Sequence, residues 1–198
     1  MKQIEITVRL EEELKDVHKK LNESGFYIKE ECDVNDIYMT SKLNELDIDN
    51  IRYILKNSVL LRSIKTEEGE SKKITYKNKE YDSNGDVISE KKINIDIQNI
   101  EKAQKLFEYL NFNKLVEVKY HVVVYKKEDV EFALQIVDDL GNLIECESRN
   151  DFEGKSLDEI NNVKRNMYDM LKKTGLKMTE ELDVKKAYEL IQKKLLKE

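Results

Sequence analysis

The 198-residue sequence contains no proline and only two cysteines, two histidines and six glycines. Cys32 and Cys146 stand alone: no CxxC pair and no nearby histidine accompanies them, so neither a zinc centre nor a disulfide scaffold is indicated. No apolar run approaches the length that crosses a membrane. P-loop, GxGxxG, GxSxG and HExxH motifs are all missing, which removes the commonest nucleotide-fold, hydrolase and zinc-protease readings. No signal peptide is apparent, because a strand-like pattern begins within the first few residues, and a cytoplasmic location is expected. The missing proline, beside heavy use of Lys, Ile and Asn, reads as compositional bias.

Charge is plentiful. Charged residues make up 38% of the chain and hydrophobic ones 39%, with both signs interspersed, which describes a solvated surface around a real core. The net charge of −6 argues against a nonspecific nucleic-acid binder, since a duplex needs a basic face, but leaves room for a local basic pocket. The length fits one domain over 1–198, with a main body at 1–150 and C-terminal helices at 151–198.

Ile4, Ile6, Val8 and Leu10 alternate with Glu5, Thr7 and Arg9, the period of a strand. Glu11 to Ser24 reads as a helix with Leu14, Val17 and Leu21 on one stripe and Gly25 at the stop. Strands are predicted over 26–40, 59–65, 73–79, 87–97, 116–125, 131–137 and 142–148, with turns at Glu68-Gly69 and Asn84-Gly85. Helices are predicted over 46–57, 100–110, 157–173 and 184–197. The fold class is therefore α+β, with eight antiparallel strands, flanking helices and a C-terminal helical pair. Closing eight such strands removes exposed edges, which favours a closed barrel or tunnel. The charged faces either meet water on a half-exposed sheet or line a closed interior.

The order of the motifs resembles that of the CYTH superfamily, the class IV adenylyl cyclase and thiamine triphosphatase group. Glu5-Ile6-Thr7-Val8-Arg9 is similar to its opening ExExK strand. Asp36-Ile37-Tyr38, Leu61-Arg62 and Ile74-Thr75-Tyr76-Lys77 follow in the family order. Lys119-Tyr120-His121 resembles its Lys-x-Arg strand, and Leu140-Gly141-Asn142-Leu143-Ile144-Glu145-Cys146-Glu147 is the most specific local match. Lys186-Ala187-Tyr188-Glu189-Leu190-Ile191 is similar to the tail of the class IV cyclase branch.

The resemblance implies an eight-stranded tunnel that takes a small-molecule triphosphate or nucleotide with Mg²⁺ or Mn²⁺. Arg9, Arg62, Lys77 and Lys119 match the family's phosphate-binding positions, and Arg and Lys both suit clustered phosphate charge. Glu5, Glu145 and Glu147 match its metal-binding positions, and carboxylates suit a hard cation. The departures are Thr7, Lys92, Asn94 and Gln135 where acids are expected, and His121 in place of an arginine. Two functions stay open: a metal-dependent cyclase or triphosphate hydrolase, and a polyphosphate- or nucleotide-binding module without turnover. Nucleic acid and membrane are not expected partners, and the long C-terminal helices could support a homodimer.

Overall fold

The computed structural model describes residues 4–81, 87–148 and 154–197. Eight strands form one antiparallel sheet: β1 (Ile4–Arg9), β2 (Tyr27–Thr40), β3 (Val59–Lys65), β4 (Glu70–Tyr81), β5 (Val87–Asp96), β6 (Asn113–Lys127), β7 (Val130–Val137) and β8 (Gly141–Ser148). Their spatial order is β1-β8-β7-β6-β2-β3-β4-β5. Among the described residues five α-helices accompany them: α1 (Leu14–Glu23), α2 (Ile51–Lys56), α3 (Ile100–Tyr109), α4 (Leu157–Lys172) and α5 (Lys186–Leu195). The turn expected at Asn84-Gly85 lies outside the described residues.

Period-two alternation gives each strand two chemical faces. On the outer face, Ile4, Ile6 and Val8 of β1 join Tyr125, Phe132, Leu134, Ile144 and Cys146 beneath α1 and α4. Further along the same face, Ile37, Met39 and Leu61 pack against Ile100 and Ala103 of α3. Helix α1 stops where the sequence predicts. Gly25 takes φ +84°, its N–H reaches the Asn22 carbonyl, and the N–H of Phe26 reaches that of Leu21. This is the left-handed cap that glycine adopts without a Cβ penalty. Helix α4 opens on a capping box in which Ser156 and Glu159 satisfy each other's backbone N–H groups.

The inner face is different. Val34, Tyr120, Val122, Val137 and Leu143 meet Val184 and Ala187, so α5 and the residues just before it pack on the side opposite α1 and α4. Helix α2 joins α5 there through Ile51, Ile54 and Ile191.

Closure of the sheet by hydrogen bonds, expected from the strand count, is not what the ladder shows. Among the described residues β1 and β5 are its two ends, and no ladder joins them. The reason is visible on β1. The Thr7 N–H donates to the Leu182 carbonyl and the Thr7 carbonyl accepts from the Val184 N–H; Arg9 accepts from Thr179, and Glu11 donates to Lys177. Residues 177–184 therefore hold the outer edge of β1, and β5 cannot pair there.

Candidate functional site

Every strand contributes to one cavity of about 160 Å³ on the inner face. Glu5 and Thr7 come from β1, Asp36 from β2, Arg62 from β3, Thr75 from β4, Lys92 from β5, Tyr120 from β6, Gln135 from β7 and Glu145 from β8. A sheet whose two end strands line the same space must curl around it. Residues preceding and within α5, among them Lys185 and Lys186, close the remaining side.

The β1–β8 register assembles the acidic residues. Glu5 lies opposite Glu147 and Thr7 opposite Glu145. Like charges directly across a ladder repel unless a cation intervenes. Lys92 supplies one across the seam: its Nζ lies 3.8 Å from Glu5 and 3.8 Å from Glu147. Glu145 has a different neighbourhood. It accepts a hydrogen bond from Gln135 Nε2 at 3.1 Å, and Lys186 Nζ lies 3.8 Å away. Lys186 also donates to Gln135 Oε1 at 2.6 Å and sits 4.5 Å from the Tyr120 ring centre.

Arg62 and Asp36 form the most buried charged pair of the cavity. Arg62 Nε donates to one Asp36 oxygen at 2.6 Å, and an Nη donates to the other at 2.5 Å. That Nη also reaches the Tyr120 hydroxyl at 3.2 Å, and the hydroxyl donates to Asp36. Burial by itself would lower the Arg62 pKa, but the charge and hydrogen bonds of Asp36 outweigh it and hold the guanidinium charged well above the usual range. Burial, then the Asp36 charge, pushes the Tyr120 phenol well up, so it stays a neutral donor.

The residues expected to bind phosphate divide. Arg62 lines the cavity, with two of its nitrogens engaged by Asp36. The side chain of Lys77 lies outside the described set; its backbone pairs with Lys92. Arg9 is not among the lining residues. It donates to the Leu140 carbonyl at 2.7 Å and to Glu189 of α5 at 2.5 Å, so it clamps the helix. Lys119 is exposed, does not line the cavity, and lies 3.7 Å from Glu117. His121 hydrogen-bonds Asp33 at 2.8 Å. Lys186, Tyr120 and Asp36 belong to the site but were not singled out from the sequence. All three lie inside the family-like segments, and only the fold shows which way they point.

Comparison with known proteins bears on what this arrangement is. No family model matches the chain. It is 28% identical over 191 residues to the putative adenylate cyclase MJ0240 of Methanocaldococcus jannaschii, covering 95% of this chain and 97% of that one. Together with the ordered motifs and the eight-stranded fold, that end-to-end likeness supports a family assignment. The chain is similar to proteins of the CYTH superfamily. Its fold is shared with the PH1819 protein of Pyrococcus horikoshii, at a TM-score of 0.73 and 20% identity, over 97% of this chain and 99% of that one. It is also shared with a putative adenylyl cyclase from Hippeastrum described as having a dominant triphosphatase activity. There the TM-score is 0.60 and the identity 16%, over 98% of this chain and 96% of that one.

The resemblance implies a divalent ion, and the residues present can be tested against it. Glu5, Glu145 and Glu147 have the hard oxygen donors that Mg²⁺ prefers. Their arrangement does not suit it. An ammonium stands 3.8 Å from each of the three carboxylates. Among the described residues no three acidic, histidine or cysteine side chains converge as a metal-holding group. As arranged, the set fits a lysine better than a divalent ion.

Proposed function

We propose that this CYTH-like protein takes a triphosphate-bearing small molecule, such as a nucleoside triphosphate or inorganic triphosphate, into the inner cavity. One observation carries the reading: Lys56, Arg62, Lys92, Lys185 and Lys186 all line one partly enclosed space. Cations gathered from separate elements suit a chain of phosphates, and a cavity shielded from bulk water strengthens each attraction. The relatives named as adenylate cyclases, and the triphosphatase activity of one of them, support the same ligand class.

Within that reading, binding without turnover is favoured by Lys92 beside Glu5 and Glu147 and by Gln135 beside Glu145. Metal-dependent turnover is the second reading. The strand register favours it, because it brings Glu5, Glu145 and Glu147 to one inner face, where they would hold Mg²⁺ or Mn²⁺. Thermal unfolding with ATP and with tripolyphosphate, each in Mg²⁺ and in chelator, tests the proposal. A native-state ligand must raise the midpoint by mass action. A rise in both media supports binding through the protein's own cations, and a rise in Mg²⁺ alone supports the second reading. No rise with either compound removes the triphosphate assignment. Product assays with Mg²⁺ and Mn²⁺ then separate turnover from binding.

A further inference from the structure

We infer that Lys92 is a built-in cation occupying the place of a divalent ion, so that triphosphate recognition in this protein does not require metal. The inference rests on the proposed ligand class for its consequence, though not for its geometry. Glu5 and Glu147 face each other across the β1–β8 ladder. Lys92 enters from β5, the other end of the sheet, and its Nζ is equidistant from the two carboxylates at 3.8 Å. A magnesium ion bound by that pair would need their oxygens at about 2.1 Å and would meet the ammonium charge as it entered.

Lys92 also lines the cavity, so its positive charge bears on whatever anion enters there. The third carboxylate is drawn off separately. Glu145 is held by Gln135 and neighboured by Lys186. Two lysines thus stand against the acidic set, Lys92 by Glu5 and Glu147 and Lys186 by Glu145, and both line the cavity. A lysine at this position also gives the two ends of the sheet an electrostatic contact where no ladder joins them.

The test uses the full chain as wild type, Lys92→Gln, Lys92→Met as a second way of removing the charge, and Lys65→Gln as a control. Lys65 is exposed and does not line the cavity. First, Mn²⁺ alone is titrated and followed by electron paramagnetic resonance. Loss of the Lys92 charge should tighten Mn²⁺ binding by about ten-fold or more, with Lys65→Gln like wild type. Equal Mn²⁺ affinity in wild type and both Lys92 variants overturns the inference. Second, tripolyphosphate is titrated calorimetrically in chelator and in Mn²⁺. Wild type should bind equally in the two media, while Lys92→Gln should lose about ten-fold in chelator and recover with Mn²⁺. Wild-type binding that demands Mn²⁺ overturns the role of Lys92 yet leaves the triphosphate reading standing. No tripolyphosphate binding in either medium removes the triphosphate reading, and the Mn²⁺ arm then still judges Lys92 alone.

Discussion

Asp36 is 2% exposed, and its carboxylate is shared by Arg62 and the Tyr120 hydroxyl. Removing one partner of such a pair leaves an uncompensated charge, which costs far more than the pair itself contributes. Asp36→Ala should lower unfolding stability by about 3 kcal/mol, the low end for a buried pair because Arg62 keeps some exposure. Urea titration at neutral pH measures it, and a loss no larger than that of an exposed ion pair would contradict the account. The two cysteines offer a second residue-scale check. Burial, and then the charges of Glu145 and Glu147, push the Cys146 thiol up to about 12. Cys32 is raised too, chiefly by burial, but it is less enclosed. Native protein treated with iodoacetamide at pH 8 should therefore carry label on Cys32 first. Cys146 should stay unlabelled until denaturant is added, as peptide mass spectrometry would show.

Among elements, β2 and β6 form the longest ladder, and polar groups on its outer face reinforce it. Asn35 donates to Glu117 at 2.9 Å, and Lys114 donates to the other carboxylate oxygen. The Lys114 hydrogen bond holds the Glu117 carboxyl below its ordinary range; burial opposes this and the Asn35 bond assists. A lowered folded-state pKa means stability that is fully present above the ordinary carboxylate range and is lost as pH falls through the lowered value. Glu117→Gln should flatten that part of the acid limb, by about 0.5 kcal/mol for a partly exposed pair. Stability measured between neutral pH and about pH 3 decides it. An unchanged acid limb would show that the contact contributes nothing.

The elements also show how far alternation carries. All eight strands are legible from period-two alternation, even β5, whose Ile93 and Ile95 stay exposed, and Val59–Lys65 matches to the residue. The helix predicted over 46–57 shrinks to Ile51–Lys56, preceded by a 3-10 turn at Leu43–Glu45. Ile48 has the right spacing, but Asn50 bonds the Asp47 N–H and the Glu45 carbonyl, and this local turn chemistry outcompetes helix there. The last helix begins at Lys186 because the preceding residues pair with β1, a contact so distant in sequence that no local pattern reports it. Arg9 shares a strand face with Glu5 and Thr7, as alternation predicts. It sits one step further along β1, where Glu189 claims it. Periodicity gives the face of a residue and leaves its depth unspecified.

At the scale of the whole molecule, the site depends on contacts between the first and last parts of the chain. Arg9 on β1 holds Glu189 on α5, and Lys186 reaches Gln135 and Glu145 from the same helix. Breaking the clamp should loosen the wall of the cavity before it harms the outer core of α1 and α4. Arg9→Met is expected to cost about 1 kcal/mol globally. It should speed amide exchange in 177–190 with little change in β7 or β8, as hydrogen-exchange mass spectrometry would show. Uniformly faster exchange across the sheet would contradict a local clamp.

The pairing of residues 177–184 with β1 also has a consequence for synthesis on the ribosome. β1 emerges before the segment that covers its outer edge, with more than 160 residues between them. Over that interval the edge lacks the partners that cover it in the folded chain, the arrangement most prone to pair with a neighbouring chain. Nascent chains stalled before residue 177 should therefore depend on chaperone capture to stay soluble, and emergence of residues 177–184 should end that dependence.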